Sequence, residues 1–373
     1  MKLHLEWLSK DLSLESFLPK EASDELWRAF FTLSESVFRE FNPDARVPNR
    51  EVARHRLLAA SPLYAVQRNL IFDETRAPVA FIYIAYDTEL SPCFEHDRHI
   101  CQVHVRVAKD FRRKRIAAFL LKILLDTAEQ LGKNTIQAEV DNPSGKEFCK
   151  SLRGEMVHKE VQHRLYMDEA DWQVAEEWLA IGRKRFPDTA YVFFKECPEA
   201  YIETFCRTYT EVINQRPTGE MEQTIVTTPE SRRIEEQDMR KRGIEWYTLV
   251  SRESNGEISG LTDIMYNPRE PHKLIQYFTG VSVKHRRKGL AKRLKAEMLA
   301  VIKKQFPDVE YITTTMAPDN RPMLAINVQL GFKSRKTTYM YQWALADLRQ
   351  HADERLKRPM RKRNTDGQKD FPG

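Results

Sequence analysis

Apolar positions along this chain follow a helical rhythm in two places. Ile116, Leu120, Leu121, Leu124, Leu125, Ala128 and Leu131 recur every three or four residues, as on one buried helix face. Leu290, Leu294, Met298, Ile302 and Phe306 repeat the pattern far downstream. Each stretch follows a run rich in β-branched and aromatic residues, HICQVHVRV (99–107) and KLIQYFTGVSV (273–283), which predicts a strand. Each is followed by a short strand, TIQAEV (135–140) or VEYITTT (309–315), then by an asparagine turn and a short helix. A further strand opens at Gly154 in the first series and at Leu330-Gly331-Phe332 in the second. Paired strands precede both series: YAVQRNLIFD (64–73) with PVAFIYIAY (78–86), and WYTLVSRE (246–253) with ISGLTDIMY (258–266). The second pair flanks Ser254-Asn255-Gly256, a good hairpin turn. Helices are predicted before the pairs, over 22–40 and 49–60 and again over 198–213 and 229–242.

The element order is therefore a repeat. It predicts two α+β domains of one kind, 1–169 and 190–345, each a twisted mixed sheet flanked by helices. A helix at 170–189 links them, and a basic, disordered tail covers 346–373. A chain of 373 residues is long enough for two such cores.

Composition narrows the picture. With 41% hydrophobic and 31% charged residues the chain is globular, and no apolar run approaches the roughly 18 residues a membrane helix needs. The start, MKLHLEWLSK, lacks the apolar core of a secretory signal, so a cytoplasmic protein without a membrane partner is expected. Five cysteines without CxxC spacing point to reduced thiols, not to a disulfide frame or a metal site. The net charge is +6, but residues 357–373 hold six basic and two acidic residues, which leaves +2 for the remainder. A nearly neutral body argues against a nucleic-acid partner. A monomer or homodimer is expected.

Candidate chemistry lies where strand meets helix. FRRKRIAAFLL (111–121) and HRRKGLAKRLK (285–295) share Arg-Arg-Lys, a variable position, an aliphatic residue and an alanine. The variable position is Arg115 in the first copy and Gly289 in the second. A helix start presents unpaired N–H groups to an anion, and glycine lets the backbone approach it. Arg286, Arg287 and Lys288 add charge, so the second loop points to a polyphosphate ligand.

Arg286-x-x-Gly289-x-Ala291 resembles the pyrophosphate loop of the GNAT family of N-acetyltransferases. Val281-Ser282-Val283 before it, and Asn320, Met323, Asn327 and Gly331-Phe332 after it, fall where that family has matching features. The resemblance is close over 198–343 and looser over 20–167, and the arrangement is similar to the tandem, mycothiol-synthase-like acetyltransferases. It implies acetyl-CoA as co-substrate, in a cleft where strands 273–283 and 309–315 splay apart. Amides around Arg287, Lys288, Gly289, Leu290 and Ala291 would hold the pyrophosphate. Val281 and Val283 would bond the pantetheine arm, with Asn320 as a further ligand that also caps its helix. An N–H at Val281 or Ser282 would polarise the thioester carbonyl. The acceptor implied is the primary amine of a small molecule, attacking directly in a ternary complex.

Both copies depart from the family pattern. Arg115 would need another backbone shape, would fill the anion's space, or would itself bind the phosphate; the first domain is expected to be a degenerate scaffold. The tyrosine the family often places four residues before the Leu-Gly-Phe glycine is Asn327 here; an amide can hydrogen-bond the sulfur but cannot supply its proton. Tyr339 or Tyr341 would then serve as the acid, although strand aromatics commonly pack. Asp263 is the first candidate base, the alternative being a rim carboxylate facing water. His285 is the second. Two further readings remain open, a protein or peptide N-acetyltransferase and a non-catalytic CoA-binding scaffold.

Overall fold

The computed structural model describes residues 12–43, 45–220 and 225–357. The strands are β1 (Ser13–Ser16), β2 (Tyr64–Phe72), β3 (Pro78–Asp87), β4 (Ile100–Val107), β5 (Thr135–Val140), β6 (Glu155–Tyr166), β7 (Ala190–Phe194), β8 (Glu245–Arg252), β9 (Ile258–Tyr266), β10 (Lys273–Val281), β11 (Tyr311–Met316) and β12 (Lys333–Ala344). The helices are α1 (Asp24–Phe41), α2 (Arg50–Leu58), α3 (Phe94–Asp97), α4 (Ile116–Gln130), α5 (Pro143–Ser151), α6 (Trp172–Arg185), α7 (Ile202–Ile213), α8 (Pro229–Lys241), α9 (Leu290–Gln305), α10 (Arg321–Gln329) and α11 (Leu345–Lys357). The predicted strands and helices recur within a few residues of their expected ends. The short edge strands β1 and β7 were not foreseen, because neither is long enough to show a period.

Local chemistry sets the helix starts. The Ser23 hydroxyl accepts from the Leu26 N–H at the head of α1, and Asp171 accepts from Val174 at the head of the linking helix α6. Thr228 and Ser231 form a reciprocal box ahead of α8, with Pro229 in its first turn. Each satisfies donors that the helix itself leaves open.

The sheet is continuous, in the order β1-β2-β3-β4-β5-β12-β6-β11-β10-β9-β8-β7. The last strand of the sequence, β12, lies between β5 and β6. The last strand of the first half, β6, pairs on its other edge with β11. Each half thus lends its closing strand to the other, and the sequence boundary near 169 is not a boundary of the sheet. One face packs α4 and α11 over the first half and α9 and α6 over the second. The opposite face packs α1 and α2 over one half and α7 and α8 over the other. Beside residues 96–99 and 216–220, strands β5, β6 and β12 present polar side chains such as Gln137, Glu139, His158, Glu160 and Gln342 to a cleft of about 480 Å3.

The expected tail needs correction at its start. Residues 345–357 form α11, because Leu348 and Ala352 bury themselves in the core beneath α4. Residues 358–373, which hold most of the basic cluster, lie outside the described residues. No helix among the described residues is long and apolar enough to cross a membrane.

Candidate active site

Two parallel strand pairs define two clefts. β10 and β11 pair only from Lys273↔Tyr311 to Ile275↔Thr313; β10 then continues along β9 to Val281, and β11 along β6 to Met316. The strands part after the third pair. β4 and β5 likewise pair from Ile100↔Thr135 to Val103↔Ala138 and then part. One feature separates the halves. The β9–β10 ladder slips between Gln276 and Phe278, which leaves Tyr277 as a bulged residue, whereas the β3–β4 ladder has no such shift. A bulge re-aims the backbone beside it. Past the bulge, the Ser282 N–H donates to the Ser259 carbonyl at 3.0 Å. Antiparallel alternation then turns the N–H groups of Thr279 and Val281 away from β9, towards the opening.

Both loops at the mouths of these clefts have one backbone shape. A 3₁₀ turn, Lys109–Phe111 or Val283–His285, leads to an extended Arg112 or Arg286. Arg113 and Arg287 are left-handed at φ 62° and 60°. Arg115 (φ 63°, ψ 5°) and Gly289 (φ 89°, ψ 6°) then cap α4 and α9 in the same left-handed region. The expectation that arginine forces another loop shape is therefore corrected. The same exchange occurs at Arg153 (φ 54°) and Gly331 (φ 98°). Arg112 and Arg286 also match: their Nε groups donate to the carbonyls of Val107 and Val281, at 3.1 and 3.2 Å. Arg112 then grips Glu40, and Arg286 the amide of Gln215. Arg286 thus braces the loop to the strand end and to the segment just after α7, with Nε and one terminal nitrogen engaged.

The remaining loop residues divide by exposure. Arg287, Lys288 and Gly289 are exposed, while Leu290, the first residue of α9, is buried. Ala291 is half-buried. The Lys288 carbonyl accepts from Arg185 of α6 at 2.8 Å, and a Cβ on Gly289 would sit 3.3 Å from that guanidinium. The first intrahelical bond runs from Arg293 to the Gly289 carbonyl, so the amides of the first turn lack helical partners and a cradle for an anion is present. Val283 departs from expectation: its N–H is held by the Glu211 carboxylate at 2.8 Å and its carbonyl accepts from Arg286. The Ser282 N–H is likewise spent on Ser259. Of the three, Val281 keeps its N–H turned to the opening.

The acid and base candidates scatter. Asn320 caps α10, accepting from Met323 at 3.4 Å. Asn327 is fully buried; its amide faces the Met316 sulfur at 3.9 Å, and its Oδ1 has no partner among the described residues. Tyr339 rides on β12 and pairs with Val140 of β5, under the ammonium of Lys146. The strand exchange has carried it out of the cleft it was expected to serve, and Tyr341 packs in the same first-half core. His285 leans towards Glu257 at 4.0 Å. Asp263 is not a rim carboxylate. It is fully enclosed beneath α7 and α8, with Oδ1 accepting from Thr248 at 2.6 Å. Burial pushes it up to about 6, against the pull of the Arg232 charge. Arg232 is itself fully buried, bonded to Glu236 at 2.8 Å and stacked 3.6 Å over Trp246.

Two titratable groups escaped sequence reasoning. Glu235, half-buried on α8, is pushed up to about 7 by burial, against the pull of Arg232 and with repulsion from Asp263, Glu236 and Asp238 adding to it. It lies within electrostatic reach of the bulged Tyr277. Nothing in a Glu-Glu pair on a charged helix marks one member as special. Lys295 of α9 is buried, held down to about 7 by desolvation, and donates to Gln276. Its only signal was a lysine on the apolar side of a helix.

Comparisons with known proteins agree with this geometry. Residues 24–152 match the Acetyltransferase (GNAT) family. That match falls on the first copy, although the loop pattern is more complete in the second. No curated protein matches the sequence. Among solved structures, a tandem GNAT protein from the clavulanic acid biosynthesis pathway is similar over 90% of this chain and 99% of its own, with TM-score 0.71 and 19% identity. A GCN5-related N-acetyltransferase from Sphaerobacter thermophilus covers 91% and 97%, with TM-score 0.66 and 13% identity. The N-myristoyltransferase of Saccharomyces cerevisiae covers 90% and 79%, with TM-score 0.54 and 13% identity. At these identities the likeness is one of fold.

Proposed function

We propose, for a chain of tandem GNAT type matched to that family over residues 24–152, an N-acetyltransferase whose working cleft lies in the second half. The acyl donor is acetyl-CoA and the acceptor is the primary amine of a small molecule. One observation carries the choice of half: only the β9–β10 ladder is bulged beside its parting strands, and that cleft opens at a glycine loop.

Acetyl-CoA supplies an activated thioester. The chain supplies the rest. First-turn amides from Gly289 to Ala291, with the exposed Arg287 and Lys288, receive the diphosphate. The N–H groups of Thr279 and Val281 line the parting strands, one for the pantetheine arm and one for the thioester oxygen. Glu235 takes the proton from the attacking ammonium, because a carboxyl group near neutrality suits a general base. Asp263 is too enclosed to touch an amine and acts through Glu235, by holding its affinity for the proton high. Asn327 is fully buried against the Met316 sulfur and has no proton to give, so thiolate departs unprotonated or is protonated by water.

Calorimetric titration with acetyl-CoA tests the reading. One site per chain, abolished in Gly289→Arg, together with CoA release in an amine screen, is the expected result. Two sites would mean that the Arg115 loop also binds. Binding without CoA release for any amine or peptide would favour a non-catalytic scaffold, the reading that the buried Asn327 supports.

A further inference from the structure

A cavity in the first half plays no part in the acyl-transfer reading. It lies between α1, α2 and strands β2 and β3, has a volume of about 490 Å3, and receives Arg242 from the second half. Its walls are largely aromatic and aliphatic, with Phe30, Phe31, Phe38 and Tyr83 among them. Three arginines line it, Arg56, Arg68 and Arg242, and a single carboxylate, Glu35.

The charges around this cavity do not balance. Glu35 is taken by Arg50 through two bonds of 2.5 and 2.9 Å. Arg242 has a carboxylate, Asp238, at 3.5 Å, and that carboxylate also accepts from Ser61. Arg68 is half-buried and stacks on Tyr83 at 5.5 Å, and Arg56 stands exposed at the mouth. Among the described residues, neither Arg56 nor Arg68 has a carboxylate within ion-pair distance. Apolar surroundings disfavour the charge on both; Arg242 repels Arg56 further, and Glu270 offsets part of that. Cations gathered on an apolar cavity without a carboxylate at ion-pair distance are costly unless an anion joins them. A guanidinium offers a planar fork that matches a carboxylate. Phenyl walls offer stacking and apolar contact to whatever the carboxylate carries.

We propose that this cavity binds a small amphipathic carboxylate, its head met by Arg56 and Arg68 and its apolar body lying against Phe30, Phe31 and Tyr83. The volume falls within the range of ordinary small-molecule sites. The ligand class differs from that of the second-half cleft, which is set out for a diphosphate and an amine.

The test uses the full chain without acyl donor, so its result is separate from that of the acyl-transfer reading. Phenylacetate and octanoate are titrated calorimetrically, with phenylacetamide and inorganic phosphate as controls. Saturable one-to-one binding of the carboxylates below about 1 mM is expected, with neither control competing. Arg68→Met should weaken it by roughly tenfold or more, since a hydrogen bond to a charged group is lost. Arg56→Gln, at the exposed mouth where folding is not at stake, should weaken it in the same direction. Unchanged far-ultraviolet circular dichroism shows that each variant is folded. No saturable binding, equal binding of the amide or of phosphate, or affinity unaffected by both substitutions would overturn the proposal.

Discussion

Arg115 and Gly289 hold one backbone conformation with two side chains. A left-handed position costs a residue with a Cβ about 1 kcal/mol that glycine does not pay. Arg115→Gly is therefore expected to raise stability by up to about 1 kcal/mol, seen as a higher urea midpoint at unchanged slope. Gly289→Ala should lower it by a similar amount. A lower midpoint for Arg115→Gly would show that the arginine's own contacts outweigh the strain. A second expectation concerns Asp263, whose folded pKa of about 6 lies above the ordinary 3.8. Such a group binds more protons folded than unfolded, so it stabilises the fold at low pH and that contribution is lost as pH rises through about 6. Comparing Asp263→Asn with the parent from pH 4 to 7, the difference in unfolding free energy should move towards the variant, by on the order of 1–3 kcal/mol. The same variant should shift the acid limb of kcat/KM, assigned to Glu235, to lower pH, because a repelling charge is gone. A limb that stays put would detach Asp263 from the chemistry.

At the scale of the element, sequence reading succeeded where a period was long enough to be seen. The stripes on α4 and α9 needed four turns, and the hairpin β8–β9 was announced by Asn255-Gly256. It failed on α11, whose polar composition hides two core residues behind a basic tail. Leu348 is 1% exposed in the first-half core. Leu348→Ala should cost roughly 2–5 kcal/mol, read by thermal or denaturant unfolding. Deleting residues 358–373 should leave that transition unmoved. A harmless Leu348→Ala would mean that α11 is a dispensable appendage. Site residues on strands fared worst. Tyr339 was assigned to the second cleft because it follows it in sequence, whereas β12 carries it to β5.

At the scale of the whole molecule, the exchange of β6 and β12 makes the two halves one folding unit. Without β12, the first half has a gap between β5 and β6; without β6, β11 keeps an open edge. Unpaired edges and missing core residues such as Tyr341 and Trp343 leave either half short of what a domain needs. Residues 1–169 and 190–357 produced separately should each lack the fixed near-ultraviolet circular dichroism of the full chain, which should unfold in one cooperative transition. Two independent transitions with native spectra for each half would refute this.

Periodicity, turn chemistry and capping are local, so the sequence alone determined the order of the longer strands and helices, the duplication, and the loop that distinguishes its two copies. Pairing partners were decided only in three dimensions. β6 and β12 follow the same kind of short helix and offer similar edges, and nothing local tells either which sheet to close. Burial was decided there too, because a carboxylate on a strand reads alike whether water or a helix covers it. That is why Asp263 was legible as unusual, while its enclosure beneath α7 and α8, the half-buried Glu235 beside it and the unpaired arginines of the first-half cavity appeared only once the helices were packed.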